Sequence, residues 1–424
     1  MVGHTNGDST TILRNHNRCR KFHRGRSIYL YSFLIKNLRP LITRNIVQIL
    51  FLVVGGATLG LVVTEIGLRI YNPFVFRVAI DTIVLPTNRE YTIHFPNAVK
   101  VDRYVTQTRN SLGFRGPEPV TDFENSLTIV TVGGSTTENL RLSDEKTWTY
   151  VLAAKLKRTF EGIWVNNAGI SGHSTKGHQI LLENYIVPMK PQVVLFLVGV
   201  NDVRKQHGAF RGGAEPSPGQ PSRKSLAAPV IDTAKSLARR SETIITSVNL
   251  YRQFKASKLD LNLKELDLKR ISTIEIDQST RKRVLQQGSG QEAFEERLFA
   301  LIRIARRNGI EPVLLTQPAL YGDEVDPTTG VDLGKISVGD LNGQVAWELL
   351  ELYNDVTRNV GEKQRVFVVD LAREMEKDSA YFFDMVHHTN QGANRISEIV
   401  YKHLCPFLAE KYGQFQIQSC PVLN

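Results

Sequence analysis

Cysteine is scarce in this chain. Its 424 residues hold three: Cys19, Cys405 and Cys420. No Cys/His cluster has zinc spacing, so no metal and no cofactor is expected. Cys405 and Cys420 are close enough in sequence to pair if that end lies outside the cytoplasm, and two separate thiols fit equally well. An excess of acid is also lacking, since the net charge is +11. That charge is uneven. Residues 1–45 carry nine Lys/Arg against one acid, and residues 203–290 carry 17 against eight, which leaves the remainder at −6. The central body is therefore not basic, and a nucleic-acid partner is not expected. No internal repeat is visible, which argues against a solenoid. A hydrophobic content of 42% suffices for one large domain with additions, or for two.

Long uncharged runs are few, and one stands out. Asn45 to Thr64 is 20 residues without a charge. As a helix it would be about 30 Å long, enough to cross a bilayer core. A buried globular helix is the competing reading. Nine Lys/Arg precede it, while Glu65 and Arg69 follow it. The excess of positive charge on the amino side puts that side in the cytoplasm and residues 65–424 outside. The leading segment is too long for a cleaved signal peptide. The expected layout is thus a basic cytoplasmic segment (1–45), a transmembrane helix (46–64) and a connector (65–124), interrupted by prolines, that packs on the edge of the core in a structural role. Gly56 and Gly60 have the spacing that lets two helices approach, and chance glycines explain them as well. The short apolar run Ile28–Ile35 suits a membrane surface, or an extra turn before the span.

From residue 127 the pattern alternates. Strands are expected at Leu127–Val132, Ile163–Asn166, Val193–Val198, Pro312–Thr316 and Val366–Asp370. Helices are expected at Trp148–Phe160, Lys176–Val187, Gln291–Arg307, Leu341–Val360 and Ala393–Leu408. Such alternation predicts an α/β fold, a parallel sheet covered by helices on both faces. It breaks once, at the basic insertion 203–290. Gly208–Pro229 reads as a flexible entry to it. Leu259–Leu268 fits either strand or helix. The insertion as a whole reads as a cap over the sheet's active edge or as a solvated loop. Residues 413–424 form a tail.

Four segments fall at or just beyond strand ends, on the one rim where open α/β sheets bind their ligands. Gly133-Gly134-Ser135 follows the first strand. Asn166-Asn-Ala-Gly-Ile-Ser-Gly172 follows the second, and Gly199-Val-Asn201-Asp202 the third. Asp384-Met-Val-His387 lies past the last. Taken singly, each is more often a turn, a cap or a surface histidine. Together they carry the parts of an acyl-transfer site. A serine hydroxyl needs a base to take its proton. Histidine titrates near neutrality. An acid three residues before it can fix its tautomer. The oxyanion formed by attack on an ester needs preorganised donors. Ser135, His387 and Asp384 are the catalytic candidates. The backbone N–H groups of Ser135 and Gly172 and the Asn201 amide are the oxyanion candidates. His388 ranks second to His387, because the Asp-x-x-His spacing selects the latter.

These segments resemble the SGNH (GDSL-type) hydrolases. Gly133-Gly-Ser-Thr-Thr-Glu138 is similar to the first block of that family, with Gly134 where aspartate is commonest. Gly172 lies in the second block, Asn201 in the third, and Asp384 and His387 in the fifth. Membrane-tethered bacterial members look similar in Glu65-x-x-x-Arg69 and in Asn110-Ser-Leu-Gly-Phe-Arg115. The resemblance covers 125–202 and 291–412. It implies a flavodoxin-like three-layer α/β/α sandwich and metal-free serine chemistry on esters, by hydrolysis or acyl transfer. The expected protein is a single-pass inner-membrane esterase whose catalytic domain faces the periplasm or exterior. Its expected partners are membrane lipid around the span and an acylated small molecule or cell-envelope glycan; its oligomeric state is left open. The alternative is a non-catalytic binding or assembly module that keeps the fold.

Overall fold

A computed structural model describes residues 48–74, 78–79, 82–207, 236–258, 265–286 and 289–421. Residues 1–45, with Ile28–Ile35, lie outside the described residues, as do Gly208–Pro229 and 259–264. The chain divides into two units, Met1–Tyr71 and Asn72–Asn424.

The described part of the first unit is one helix, α1 (Gln48–Ile70), of 23 residues with a mean hydropathy of 2.2. It is long and apolar enough to cross a membrane. It runs past the expected end at residue 64 because Glu65 and Arg69 stand one turn apart and pair at 2.7 Å.

In the second unit the five apolar runs become strands: β3 (Leu127–Gly133), β4 (Ile163–Asn167), β5 (Val193–Leu197), β6 (Glu311–Leu315) and β7 (Phe367–Val369). They are preceded by a hairpin of β1 (Arg89–His94) and β2 (Tyr104–Arg109). The five form one parallel sheet in the order β7-β6-β5-β3-β4. Counted along the sheet's own strands this is 2-1-3-4-5, the flavodoxin-like order, whose switch point falls between the first and third strands.

Each central strand is apolar on both faces, as a sheet covered on both sides must be. Leu127, Ile129, Val193, Leu195 and Leu197 face one core. Val130, Val132, Val194 and Phe196 face the other. The first core is closed by α3 (Trp148–Leu156) and α9 (Asn390–Lys411), through Trp148, Leu152, Ile396 and Val400. The second is closed by α4 (Thr175–Leu181) and α7 (Ser289–Arg307), through Leu181, Phe294, Leu298 and Leu301. The long α8 (Gly343–Gln364) contributes to both. The result is a three-layer α/β/α sandwich. The helix expected over Lys176–Val187 is α-helical only to Leu181. It then widens into a π turn (Leu182–Ile186) and tightens into a 3₁₀ turn containing Pro188.

The connector 65–124 is more ordered than its prolines suggest. Beyond the hairpin, Gly113 sits at φ +77°, and Arg115 exchanges backbone hydrogen bonds with Asn167 of the edge strand β4 at 2.9 and 3.0 Å. Helix α5 (Val200–His207) runs from the hydrolase segment into the insertion, and α6 (Glu242–Lys258) lies within it. Residues 265–267 have no regular structure, so the described end of Leu259–Leu268 is neither strand nor helix before a 3₁₀ turn at Leu268–Arg270. At the C-terminus Cys405 and Cys420 are joined in a disulfide, and Ile417 N–H donates to Thr159 O at 2.8 Å.

Candidate active site

Ser135 opens α2 (Ser135–Glu138), a single turn that begins directly after β3. Two glycines make the turn possible. A Cβ at Gly133 would overlap the Thr137 hydroxyl. A Cβ at Gly134 would overlap the Asn201 amide nitrogen. As the first residue of a helix, Ser135 has an N–H with no intrahelical acceptor.

His387 arrives from the loop between β7 and α9. Its Nε2 lies 2.7 Å from Ser135 Oγ. Its Nδ1 lies 2.7 and 2.9 Å from the two Asp384 oxygens. Asp384 also accepts the N–H groups of Val386 and His387, both at 2.9 Å. The aspartate thus fixes the tight turn that presents the imidazole, and then orients the imidazole itself. Burial would raise the Asp384 carboxyl. The charge and hydrogen bonds of His387, with the two backbone N–H groups, overcome it and hold the carboxyl well below the usual carboxylate range. Asp384, His387 and Ser135 therefore form one hydrogen-bonded chain across 252 residues of sequence.

Gly172 and Asn201 flank this chain. Gly172 adopts φ +78°, a conformation that costs a residue with a Cβ roughly 1–2 kcal/mol. Asn201 sits in the first turn of α5, at the carboxyl end of β5 and hence at the switch point. Its Nδ2 donates to His173 O at 2.8 Å and packs on Gly134. One amide hydrogen is spent on that bond. In this structure a side chain at position 134 would have to displace the Asn201 amide from where it now lies. Gly134→Asp, which must push the Asn201 amide aside, is expected to lower ester turnover by about 10²-fold, the scale of disturbing one preorganised hydrogen-bond donor at an acyl-transfer site, with little change in melting temperature. Steady-state kinetics and a melting curve on the same preparation check it.

His388 does not join the group. It is 1% exposed, lies against the Phe382 ring at 5.4 Å, and neither ring nitrogen has a hydrogen-bond partner among the described residues. Burial, reinforced by the charge of His387, pushes its pKa down to about 3. Unfolded, it would titrate near ~6.5. Its contribution to stability is thus complete above that value. It is lost as pH falls from there toward 3, at up to ~1.4 kcal/mol per pH unit. His388→Phe is expected to flatten the fall in melting temperature between pH 6.5 and 4.

Several residues outside the expected set support the site. Glu138 is fully buried and pairs with Arg109 Nη2 at 2.6 Å. Its other oxygen accepts the N–H and the hydroxyl of Ser171 at 2.7 and 2.6 Å. It thereby ties the turn bearing Ser135 to the loop bearing Gly172. Arg115 donates to the carbonyls of Glu138, Asn139 and Leu142 and binds Asp144. Asp202, also buried, holds Thr175 and Arg297 Nη2, the latter at 3.1 Å, and so locks the chain on either side of His173 and Asn201. Glu138 and Arg115 end the segments Gly133–Glu138 and Asn110–Arg115. Nothing local in the sequence assigns them these partners, which lie 23 to 33 residues away. Among the described residues no group of three His, Cys, Asp or Glu side chains is placed to hold a metal ion.

The sequence from residue 131 to 395 matches the model of the GDSL-like lipase/acylhydrolase family. The chain belongs to that family. As a GDSL-like acylhydrolase it is a serine ester hydrolase. No curated protein matches it by sequence. Solved structures of similar fold include the acetylxylan esterase Axe2 from Geobacillus stearothermophilus, at 14% identity over 65% of this chain and 93% of that one, with a TM-score of 0.37. TesA shares 16% identity over 66% of this GDSL-like chain and 99% of its own, with a TM-score of 0.37. The acetyl xylan esterase AlAXEase shares 15% over 65% and 98%, with a TM-score of 0.36.

Proposed function

We propose that this GDSL-like hydrolase is a membrane-anchored serine esterase of the cell envelope, acting on an O-acyl ester such as O-acetyl on a glycan. In this reading Ser135 is the nucleophile, His387 the general base and Asp384 its orienter. The Ser135 and Gly172 N–H groups and the Asn201 amide receive the oxyanion. The observation that carries the reading is the 2.7 Å approach of His387 Nε2 to Ser135 Oγ, backed by the Asp384 bond to Nδ1. His387 takes the hydroxyl proton as Oγ attacks the ester carbonyl. The negative charge on the tetrahedral oxygen is met by the three donors, and the imidazolium returns its proton to the leaving alkoxide. Water, or a sugar hydroxyl if the enzyme transfers, then attacks the acyl carbonyl as His387 takes its proton; the bond to Ser135 Oγ breaks, the imidazolium returns the proton to Oγ, and the acid or new ester leaves.

Three observations support the placement in the envelope. Helix α1 has the length and hydropathy of a span. The basic excess lies on its amino side. The Cys405–Cys420 pairing suits an oxidising compartment. A cavity of about 310 Å³ lies beside the catalytic loop, lined by Phe95, Val101, Arg141, Glu265 and Phe383. The Arg141 guanidinium packs over the Phe95 and Phe383 rings at 5.1 and 4.7 Å. Aromatic faces with a fixed cation and a carboxylate suit a sugar ring better than a bare alkyl chain.

A fluorophosphonate probe tests the assignment. It is expected to label wild-type protein at Ser135 and to leave Ser135→Ala unlabelled. Labelling of the variant, or none of the wild type, overturns it. Incubation with an acetylated glycan separates the two outcomes of the acyl-enzyme, as free acetate for hydrolysis or acetate moved to an acceptor glycan for transfer.

A further inference from the structure

Lys377 is a buried cation outside the catalytic set, only 6% exposed. Its Nζ donates to the carbonyls of Ala319 and Tyr321 at 3.1 and 2.9 Å. It also lies 3.2 Å from the centroid of the Trp347 ring, on α8. Two carbonyls and an aromatic face thus meet the three donors of the ammonium in place of a carboxylate. Burying an ammonium is costly unless its donors are met, so what this one holds in place is informative. The two carbonyls flank Leu320, and Leu320 N–H donates to Met385 O at 3.0 Å, inside the turn from Asp384 to His387. Three residues earlier, Gln317 Oε1 accepts the hydroxyl of Thr136, the neighbour of Ser135, at 3.2 Å. The segment 316–321, which leaves the carboxyl end of β6, therefore touches both the turn bearing the serine and the turn bearing the imidazole. Its near end is fixed by Asn354 of α8, which exchanges bonds with the Gln317 backbone at 2.8 and 3.1 Å. Its far end is held by Lys377.

We propose that Lys377 is a positioning residue for ester turnover: by clamping the carbonyls on either side of Leu320, it holds the Asp384–His387 turn where His387 reaches Ser135. The inference rests on the catalytic roles given to Ser135 and His387 above. Hydrogen bonds from a charged donor are roughly twice as strong as neutral ones, so the clamp is firm while the amine is protonated and slack once it is neutral. Burial pushes the Lys377 pKa down to about 8, against the pull of two carboxylates. These are Glu324, on the loop beyond Gly322, and Glu351 of α8, itself paired with Arg358 at 2.7 Å. The Tyr321 hydroxyl, pushed up to about 12 by burial, stays neutral over the same range. Rising pH therefore removes the charge of Lys377 before that of an ordinary lysine, and with it the firm hold on the catalytic turn.

The test uses the full-length protein and follows kcat and KM for p-nitrophenyl acetate from about pH 7 to about 9.5, with Ser135→Ala as the blank. Wild-type kcat is expected to fall along an alkaline limb centred near 8. Lys377→Met keeps nearly the same length without the charge. It is expected to lose about 10- to 10²-fold in kcat at pH 7, the scale of misplacing a catalytic group by up to ~1 Å. Its KM should change by less than about twofold, and its alkaline limb should vanish because no amine is left there to deprotonate. Gly322→Ala is the second variant. A Cβ at Gly322 would overlap Lys377 Cε, so the amine is displaced while its chemistry is kept. This variant is expected to lower kcat and to move the limb upward, toward the ~10.4 of a hydrated lysine. If Ser135→Ala turns over ester like the wild type, the catalytic reading fails and this inference falls with it. If Ser135→Ala is inactive and Lys377→Met keeps wild-type kcat, the reading stands and the positioning role is overturned. A Lys377→Met enzyme that loses rate but keeps the wild-type pH profile also overturns it, since the lysine then only supports the fold. Should Lys377→Met fail to fold, Gly322→Ala decides: wild-type kcat with an unmoved limb overturns the proposal.

Discussion

Ser135→Ala is expected to lower kcat/KM for p-nitrophenyl acetate by roughly 10⁴–10⁶-fold, the range seen when an activated serine is removed from such a site. The fold should be unaffected. The Ser135 side chain has one assigned partner, His387 Nε2, and the turn is held by backbone bonds from Thr137 and Glu138 to Gly134 O at 3.1 and 2.9 Å. Melting temperature should therefore stay close to wild type. The measurement is kcat/KM beside a melting curve. Turnover within tenfold of wild type would remove Ser135 as the nucleophile.

The second large effect is expected at Asp384. Its oxygens accept only, and all their bonds come from N–H groups: Val386, His387 backbone and His387 Nδ1. Asp384→Asn keeps the shape but must spend one side-chain position on an NH₂ group. If the amide keeps its carbonyl on the two backbone donors, its NH₂ faces Nδ1. The imidazole must then accept at Nδ1 and carry its proton on Nε2, which points at Ser135. A histidine in that tautomer cannot act as base. The expected loss in kcat is about 10⁴-fold with KM little changed. The negative charge that steadies the imidazolium is lost as well. A loss below tenfold would show that Asp384 does not orient the base.

Much of the architecture was legible because strand and helix periods are local properties. All five sheet strands appear within two residues of their expected positions, since runs such as Val193–Leu197 are buried on both faces and are correspondingly apolar. The rim carrying Ser135, Asn201 and His387 followed from the rule that parallel strands end on one side. Three things were not legible. Helix ends depended on capping and on Pro188, which periodicity does not register. Spacing favoured His387 over His388, but the burial that sets His388 apart comes from Phe382 and the surrounding core. Above all, the connector 65–124 read as packing material. The roles of Arg109 and Arg115 depend on partners on the far side of a strand, and no sequence window contains both ends of such a bond.

That last feature has a practical side. The stretch matched by the family model begins at residue 131, yet the counter-ion of the buried Glu138 is Arg109, 29 residues upstream of it. An excised domain starting at the family boundary would leave a carboxylate sealed in the interior without its cation, a defect worth about 3–5 kcal/mol and comparable to the whole margin of a typical fold. The smallest autonomous version of this enzyme should begin at the first residue of the second unit, Asn72. Homology limits and the limits of what can be cut free differ here by some sixty residues: a cut at the family boundary would also sever β3 (Leu127–Gly133), the strand that leads into Ser135, besides removing the guanidinium paired with Glu138.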